Sequence, residues 1–198
     1  MKAKKILSVA GVLACVMGLM VACGSGSAEV DNGPLPTVAA PPYVCGYLPL
    51  KAVELMTGVR DPIARGSFDL TLLEGVGYGT CTVYRRDDDQ LKMLQVGLTA
   101  GGYSGKVEEQ VKAGAPSLPE IVPGAVGYYF RDADSENNAA YALLSRGKAQ
   151  ITVQLEIGVE GRDGAADVLA LMKLIAPRLI TDAGAPSAKA ASPTPEGS

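Results

Sequence analysis

The sequence predicts an α+β domain in which an antiparallel sheet of about five strands carries helices packed on one face. Three observations support this class. Residues 151–157 alternate apolar and polar side chains, which is the pattern of a half-buried strand. The polar stretch DDDQ, at 87–90, separates two strand-like segments and predicts a hairpin. Residues 161–180 present a broad apolar face at helical spacing, which predicts a helix that packs across the sheet.

The predicted elements follow the order α-β-β-α-β-β-β-α. They are a helix at 48–58, strands at 77–86 and 91–99, a helix at 104–116, strands at 124–130, 139–147 and 149–158, and a helix at 161–180. Because short turns join consecutive strands, the sheet should be antiparallel.

Local signals set the ends of these elements. Pro49 suits the first turn of the first helix, and Gly58 is a natural C-terminal stop. Gly147 falls at a predicted hairpin tip. Asp163 is the expected N-cap of the final helix, and Pro177 should kink or end it.

The N-terminus has the pattern of a secretory signal. It opens MKAKK, and an apolar run follows at 6–22. A charged start, an apolar middle and a small residue at the end are typical of such signals. The run is at the short edge of a membrane span, and no positive cluster follows it.

Met20, Val21, Ala22 and Cys23 resemble a bacterial lipobox. The resemblance implies that the Cys23 thiol receives a diacylglycerol and that cleavage occurs before it. The mature protein would then be a lipoprotein, fatty-acylated (palmitate) and anchored at the cell membrane, facing outside the cytoplasm. Two alternatives remain, an uncleaved signal anchor and a cleavage site at Cys15.

Four cysteines occur, at positions 15, 23, 45 and 81. Cys15 would leave with the signal, and Cys23 would carry lipid. The exported compartment then favours a disulfide bond between Cys45 and Cys81, which would fasten the first helix to the sheet. The alternative is a metal site, but no histidine exists to complete four ligands.

Composition divides the chain into four parts. The expected boundaries are a signal peptide at 1–22, a lipidated cysteine and flexible tether at 23–42, one α+β domain at 43–182 and a disordered tail at 183–198. Loss of Lys2, Lys4 and Lys5 with the signal would lower the net charge from −3 to −6. Nucleic acid is therefore not an expected partner.

A second resemblance is carried by two segments. CGYLPLKAVELMTGV places a cysteine before a short helix that ends in glycine, and TCTVYRR places a second cysteine in a strand before an aromatic residue. With the lipobox upstream, the chain is similar to small actinobacterial lipoproteins defined by a domain of unknown function. The likeness covers roughly 43–180, and it implies no particular activity.

No complete catalytic motif is visible. The absence of histidine excludes His-based triads and most zinc sites. Ser145 and Lys148 match the S-x-x-K spacing of penicillin-interacting enzymes, but they fall on a predicted hairpin. Residues 132–138 resemble the start of an EF-hand loop, yet Asn137 and Leu143 occupy the places of its glycine and glutamate. Neither a cofactor nor a metal site is predicted.

The densest aromatic patch is GYYF, at 127–130. On an alternating strand, Tyr128 and Phe130 share one face and Tyr129 points to the other. We expect one face to fill the core, and we expect Tyr84, Tyr129 and Tyr141 to form a binding surface. The leading hypothesis is a non-enzymatic envelope domain that binds another protein or a small ligand. The alternatives are a carboxylate-dependent cell-envelope hydrolase and a purely structural role.

Overall fold

The structure is a computed structural model that describes residues 31–101 and 104–181. These residues form three helices and eight strands. The predicted signal peptide, the lipidation site Cys23 and the predicted tail lie outside the described residues. Within the described part of the chain, no helix has the length and apolar character needed to cross a membrane.

The architecture is an α+β fold with an antiparallel sheet, as predicted. The helices are α1 (Leu50–Thr57), α2 (Ser104–Lys112) and α3 (Gly164–Leu179). The strands are β1 (Tyr43–Val44), β2 (Leu48–Pro49), β3 (Ile63–Asp69), β4 (Tyr78–Tyr84), β5 (Lys92–Ala100), β6 (Val126–Arg131), β7 (Ala140–Arg146) and β8 (Ala149–Leu155). Strands β1 and β2 form a small hairpin, and the main sheet has the order β3-β4-β5-β8-β7-β6.

The predicted strand count and element order were wrong. The main sheet has six strands rather than five, and the β1–β2 hairpin precedes the first helix. The strand missed in the main sheet is β3, at its edge, where Phe68 is the sole large aromatic residue and Arg65, Gly66 and Ser67 are exposed. An edge strand that buries little apolar surface lacks the alternation that identifies a strand. Gly66 also has a φ of 108°, and a Cβ there would collide with the Thr80 carbonyl oxygen.

One face of the sheet forms the core. The register aligns Ala142, Val153, Val96 and Cys81 across four strands on this face. Helices α1 and α3 cover it, and the buried side chains of α3 include Leu171, Met172, Ile175 and Leu179. Burying large aliphatic side chains contributes about 1.5–3 kcal/mol each, so this layer dominates the stability of the fold.

Helix α2 contradicts the prediction that the helices share one face. It packs against β6 and β7, and its Lys106, Glu109 and Gln110 line a pocket with Tyr128 and Leu143. Tyr128 and Leu143 are register partners on the face opposite the core. The helix is short and mostly polar, with Val107 as its one buried hydrophobic residue, so it covers only one end of that face.

The predicted caps of the outer helices are present. Asp163 is the N-cap of α3, and its carboxylate accepts hydrogen bonds from the backbone N–H groups of Ala165 and Ala166, each at 3.1 Å. Gly58 ends α1 in the left-handed conformation, with a φ of 70°. Pro177 lies in the last turn of α3, which continues as far as Leu179.

The folded part of the chain begins before the predicted boundary at residue 43. Leu35 is 6% exposed and belongs to the hydrophobic core. With Pro34 and Thr37, it borders α3 at Ala166 and Ala170. The composition of 24–42 suggested a tether throughout, but one leucine between two prolines anchors part of it to the domain.

Candidate functional site

The face of the main sheet opposite α1 and α3 is the candidate site, and we call it the open face. One register row crosses it from Phe130 through Tyr141, Gln154, Gln95 and Thr82 to Arg65. A parallel row contains Tyr128, Leu143, Thr152, Gly97, Thr80 and Ser67. Three adjacent strands, β4, β5 and β8, contribute a group that we call the neutral strip: Thr80, Thr82, Gln95, Gly97, Thr99, Gln150, Thr152 and Gln154.

Three aromatic rings form a cluster at the β6–β7 end of the open face. Tyr128 and Phe130 stack with centroids 6.3 Å apart and planes 7° apart. Tyr141 touches both, at 6.0 Å and 5.6 Å. Phe130 remains 39% exposed, so the cluster offers apolar surface to solvent.

Burial of the cluster changes the acidity of its phenols. Loss of solvation raises the pKa of Tyr128. Burial, reinforced by the nearby charge of Tyr128, raises the pKa of Tyr141 to about 12. Both groups therefore stay neutral near pH 7 and can act as hydrogen-bond donors and acceptors.

The structure separates the three tyrosines of the predicted binding surface. Tyr129 pairs with Ala142 on the core face and is half-buried against the hydrophobic core. Tyr141 lies on the open face, within the aromatic cluster. Tyr84 also belongs to the open face, but three strand spacings, about 14 Å, separate its strand from that of Tyr141. The guanidinium of Arg65 covers the Tyr84 ring at 5.2 Å.

A pocket of about 600 Å³ lies between α2 and the open face. The sheet contributes Thr99, Gln150, Leu143 and Tyr128, and the helix contributes Lys106, Glu109 and Gln110. Its size falls within the usual range for small-molecule sites. The lining combines amides, a hydroxyl, a phenol and one charge of each sign.

A second, more apolar groove of about 440 Å³ lies on the other side of α2. Its apolar lining includes Val107, Val111, Leu118 and Val126. Residues 116–118 run beside β6, where the Leu118 N–H donates to Gly127 O at 2.9 Å. This pairing partly covers the β6 edge of the sheet.

The predicted disulfide bond between Cys45 and Cys81 is present, with a Cα–Cα distance of 5.9 Å. Cys81 is fully buried on the core face of β4, and Cys45 lies in the turn of the β1–β2 hairpin. The bond therefore fastens the segment that leads into α1 to the sheet.

A buried ion pair holds the N-terminal segment to the domain. Arg162 binds Asp167 through two hydrogen bonds of 2.8 Å and 2.6 Å. The same guanidinium donates to the carbonyl oxygens of Asp31 and Gly33, at 2.7 Å and 2.8 Å. The hydrogen bond to Asp167 is the main reason that the pKa of Arg162 is raised above its usual value. Asn138 supports this arrangement by donating to the Arg162 carbonyl at 3.0 Å.

The structure explains the S-x-x-K motif and the EF-hand-like loop by their positions in the fold. Ser145 is 1% exposed within β7, whereas Lys148 is exposed in the following turn. Asp132 accepts a hydrogen bond from the Asp134 N–H, and Asn138 at the end of the same loop is buried. Among residues 31–101 and 104–181, no group of three or more His, Cys, Asp or Glu side chains could hold a metal ion.

Sequence reasoning missed the neutral strip and Phe130 as site residues. The signal was available, because Thr80 and Thr82, and likewise Gln150, Thr152 and Gln154, occupy alternate positions on predicted strands. Alternation on a half-buried strand predicts only that such side chains lie on the face opposite the apolar ones. Their common lack of charge becomes evident only when the register places them side by side.

No known family and no curated protein matches the sequence.

Proposed function

We propose that the protein is a lipoprotein tethered to the outer side of the cell membrane through Cys23, and that its domain is a non-enzymatic binding or accessory module of the cell envelope. The charged and apolar N-terminus and the lipobox-like segment ending at Cys23 support the tether. The disulfide bond between Cys45 and Cys81 is consistent with an oxidising compartment.

The observation that carries the binding role is the open face. Helices α1 and α3 cover the other side of the sheet, and α2 covers only one end of this side. The uncovered part displays the neutral strip beside a half-exposed aromatic cluster, with a 600 Å³ pocket next to it. Aromatic residues give large contact area at low entropic cost, so they are favoured in recognition surfaces.

Several carboxylates have structural partners, which supports a non-catalytic role for them. Asp167 is paired with Arg162, and Asp163 caps α3. Asp69 accepts hydrogen bonds from the Thr71 side chain and backbone, which lower the pKa of its carboxyl.

Hydroxyl-radical footprinting would test the binding role. The purified mature protein would be oxidised with and without a detergent extract of its own cell envelope. We expect the extract to protect Tyr84, Phe130 and Tyr141 on the open face, while Tyr43, which lies beneath Arg178 on another side of the domain, keeps its oxidation rate. Unchanged oxidation of all four residues would contradict the proposal.

A hydrolase panel would test the non-enzymatic part. We expect the exported chain to show no turnover of peptidoglycan fragments, esters or phosphoesters. Turnover that disappears when a single Asp or Glu is replaced would overturn the proposal in favour of a carboxylate-dependent hydrolase.

A further inference from the structure

We propose that the open face binds a neutral glycan, and this inference rests on the binding role proposed above and deepens it. The ligand would lie across the neutral strip, with one end on the aromatic cluster and in the pocket beneath α2. Three properties of the open face lead to this class of ligand: the absence of charge from the neutral strip, the hydrogen-bonding groups of that strip and the exposed rings beside it.

The neutral strip contains no charged side chain and no large apolar side chain. Charged residues make up 20% of the whole sequence, yet the eight residues of the strip are threonine, glutamine and one glycine. At one end the strip is bordered by Tyr84 and by Lys92, which donates to Gln95 Oε1 at 3.3 Å and forms a 2.7 Å ion pair with Glu156. Hydroxyl and amide groups both donate and accept hydrogen bonds, as the hydroxyl groups of a sugar do. Lys92 and Glu156 neutralise each other, so a highly charged ligand would find no charge within the strip itself, and its desolvation would be costly.

The centre of a protein–protein interface has a different composition. Such centres are rich in tyrosine, tryptophan, phenylalanine, methionine and arginine. Here the large rings lie at the β6–β7 end, while the middle of the open face is built from small and medium polar side chains. This arrangement favours a hydrated, polyhydroxylated ligand over a protein partner.

The middle of the open face also forms a shallow depression between the neighbouring side chains. Gly97 lies between Thr152 and Thr80 in its register row and has no side chain. A Cβ added at Gly97 would lie 2.9 Å from the Thr152 hydroxyl oxygen, so a larger residue would fill this depression. From β6 to β3 the row crosses five strand spacings, about 24 Å, which is long enough for an oligosaccharide.

The aromatic cluster and the pocket also suit a neutral glycan. The C–H face of a sugar ring is apolar and can pack on an aromatic ring. Phe130 is exposed enough to form this contact. In the pocket, Lys106 and Glu109 carry opposite charges, and Gln110 and Gln150 add neutral amides. The pocket lining is therefore neutral overall, as expected for an uncharged ligand.

Titration followed by residue-resolved NMR would test the inference. A soluble form without the lipidated Cys23, residues 24–198, would be titrated separately with maltotetraose, cellotetraose and N-acetylchitotetraose, and with tetragalacturonic acid as the charged control. Concentrations would reach about 10 mM, enough to detect a 1 mM dissociation constant. We expect at least one neutral tetrasaccharide to give saturable shifts in β4, β5 and β8, and the charged control to bind at least about tenfold more weakly.

Matched variants would assign the site. Gln154→Ala and Phe130→Ala remove exposed contacts from the open face, and each should weaken binding by about three- to tenfold. Phe130→Tyr should retain binding because it keeps a ring. Thr37→Ala, beside α3, is the control and should bind like the wild type. Thermal melting of each variant would show that the fold is intact.

Three outcomes of the titration would overturn the glycan inference. The first is the absence of saturable shifts with every neutral tetrasaccharide. The second is binding that maps to α1 or α3, and the third is equal affinity for the charged control. Footprinting with protease-digested envelope extract separates the two proposals. Protection that survives digestion supports a glycan, whereas protection that digestion abolishes indicates a protein partner, which contradicts the glycan inference and leaves the binding role intact.

Discussion

Arg162 and Asp167 form an ion pair that is almost fully buried, with exposed fractions of 8% and 5%. Because Arg162 also holds the carbonyl oxygens of Asp31 and Gly33, one guanidinium joins the start of α3 to the segment at 31–33. Removing one partner from a buried pair leaves an uncompensated charge, which is usually far more costly than losing an exposed pair.

We therefore predict that Asp167→Asn lowers the free energy of unfolding by about 3–5 kcal/mol. Urea denaturation of the oxidised chain would measure the change. Lys51→Ala is the control, since it removes only the exposed 3.8 Å pair with Asp31 and should change stability by less than about 0.5 kcal/mol. A loss below about 1 kcal/mol for Asp167→Asn would show that the pair has no special role.

A second prediction concerns the disulfide bond. Peptide mapping without reduction should recover Cys45 joined to Cys81 in the exported protein. Replacing both residues with alanine should lower the free energy of unfolding by about 2–5 kcal/mol. Without the bond, the unfolded chain regains the conformational entropy that closing the loop had removed. Two free thiols in the exported protein would contradict the assignment.

Lipidation can be tested directly at Cys23. The Cys23→Ala variant should carry no lipid and should leave the membrane fraction, as measured by mass spectrometry and flotation. Cys15→Ala is the matched control, since that residue would be removed with the signal, and it should behave like the wild type. Membrane flotation of a lipid-bearing Cys23→Ala protein would place the anchor elsewhere.

The buried phenol of Tyr141 predicts a loss of stability at high pH. Its folded pKa is raised to about 12, above the usual value of about 10, so the folded state holds its proton more tightly than the unfolded state. This contribution is fully present below pH 10 and disappears as the pH rises from 10 to 12.

We expect the wild type to lose about 1–2 kcal/mol of unfolding free energy over this interval beyond the loss shown by Tyr141→Phe. The figure is below the full linkage value because the side chain is only partly buried. Urea denaturation at several alkaline pH values would measure it, with phenolate absorbance as an independent titration. Identical pH profiles for the two proteins would contradict the prediction.

The elements that were predicted correctly are those whose signals are local. Asp163 caps α3 through bonds to residues two and three positions away, and Gly147 turns the hairpin between β7 and β8. The Cys45–Cys81 pair also followed from the sequence, because two cysteines remained after the signal and the lipobox were assigned.

The features that were missed depend on long-range packing. Strand β3 only partly buries its one large aromatic residue, Phe68, and it is defined by pairing with β4 rather than by its own sequence pattern. Leu35 looks like a linker residue until α3, which is distant in sequence, supplies its surroundings. The neutral strip exists only once the register aligns β4, β5 and β8, so composition alone could not reveal it.

The hydrogen bonds from Arg162 to Asp31 and Gly33 shorten the tether between the lipid and the domain. With Cys23 acylated as proposed, residues 24–30 lie between the lipid and Asp31, and a chain of about seven residues reaches at most about 25 Å. The domain could then reach only a thin layer above the headgroups, and the side of the domain near Asp31 would face the bilayer. Anything that it captures would have to come within that layer, so the protein would act on the innermost part of the envelope.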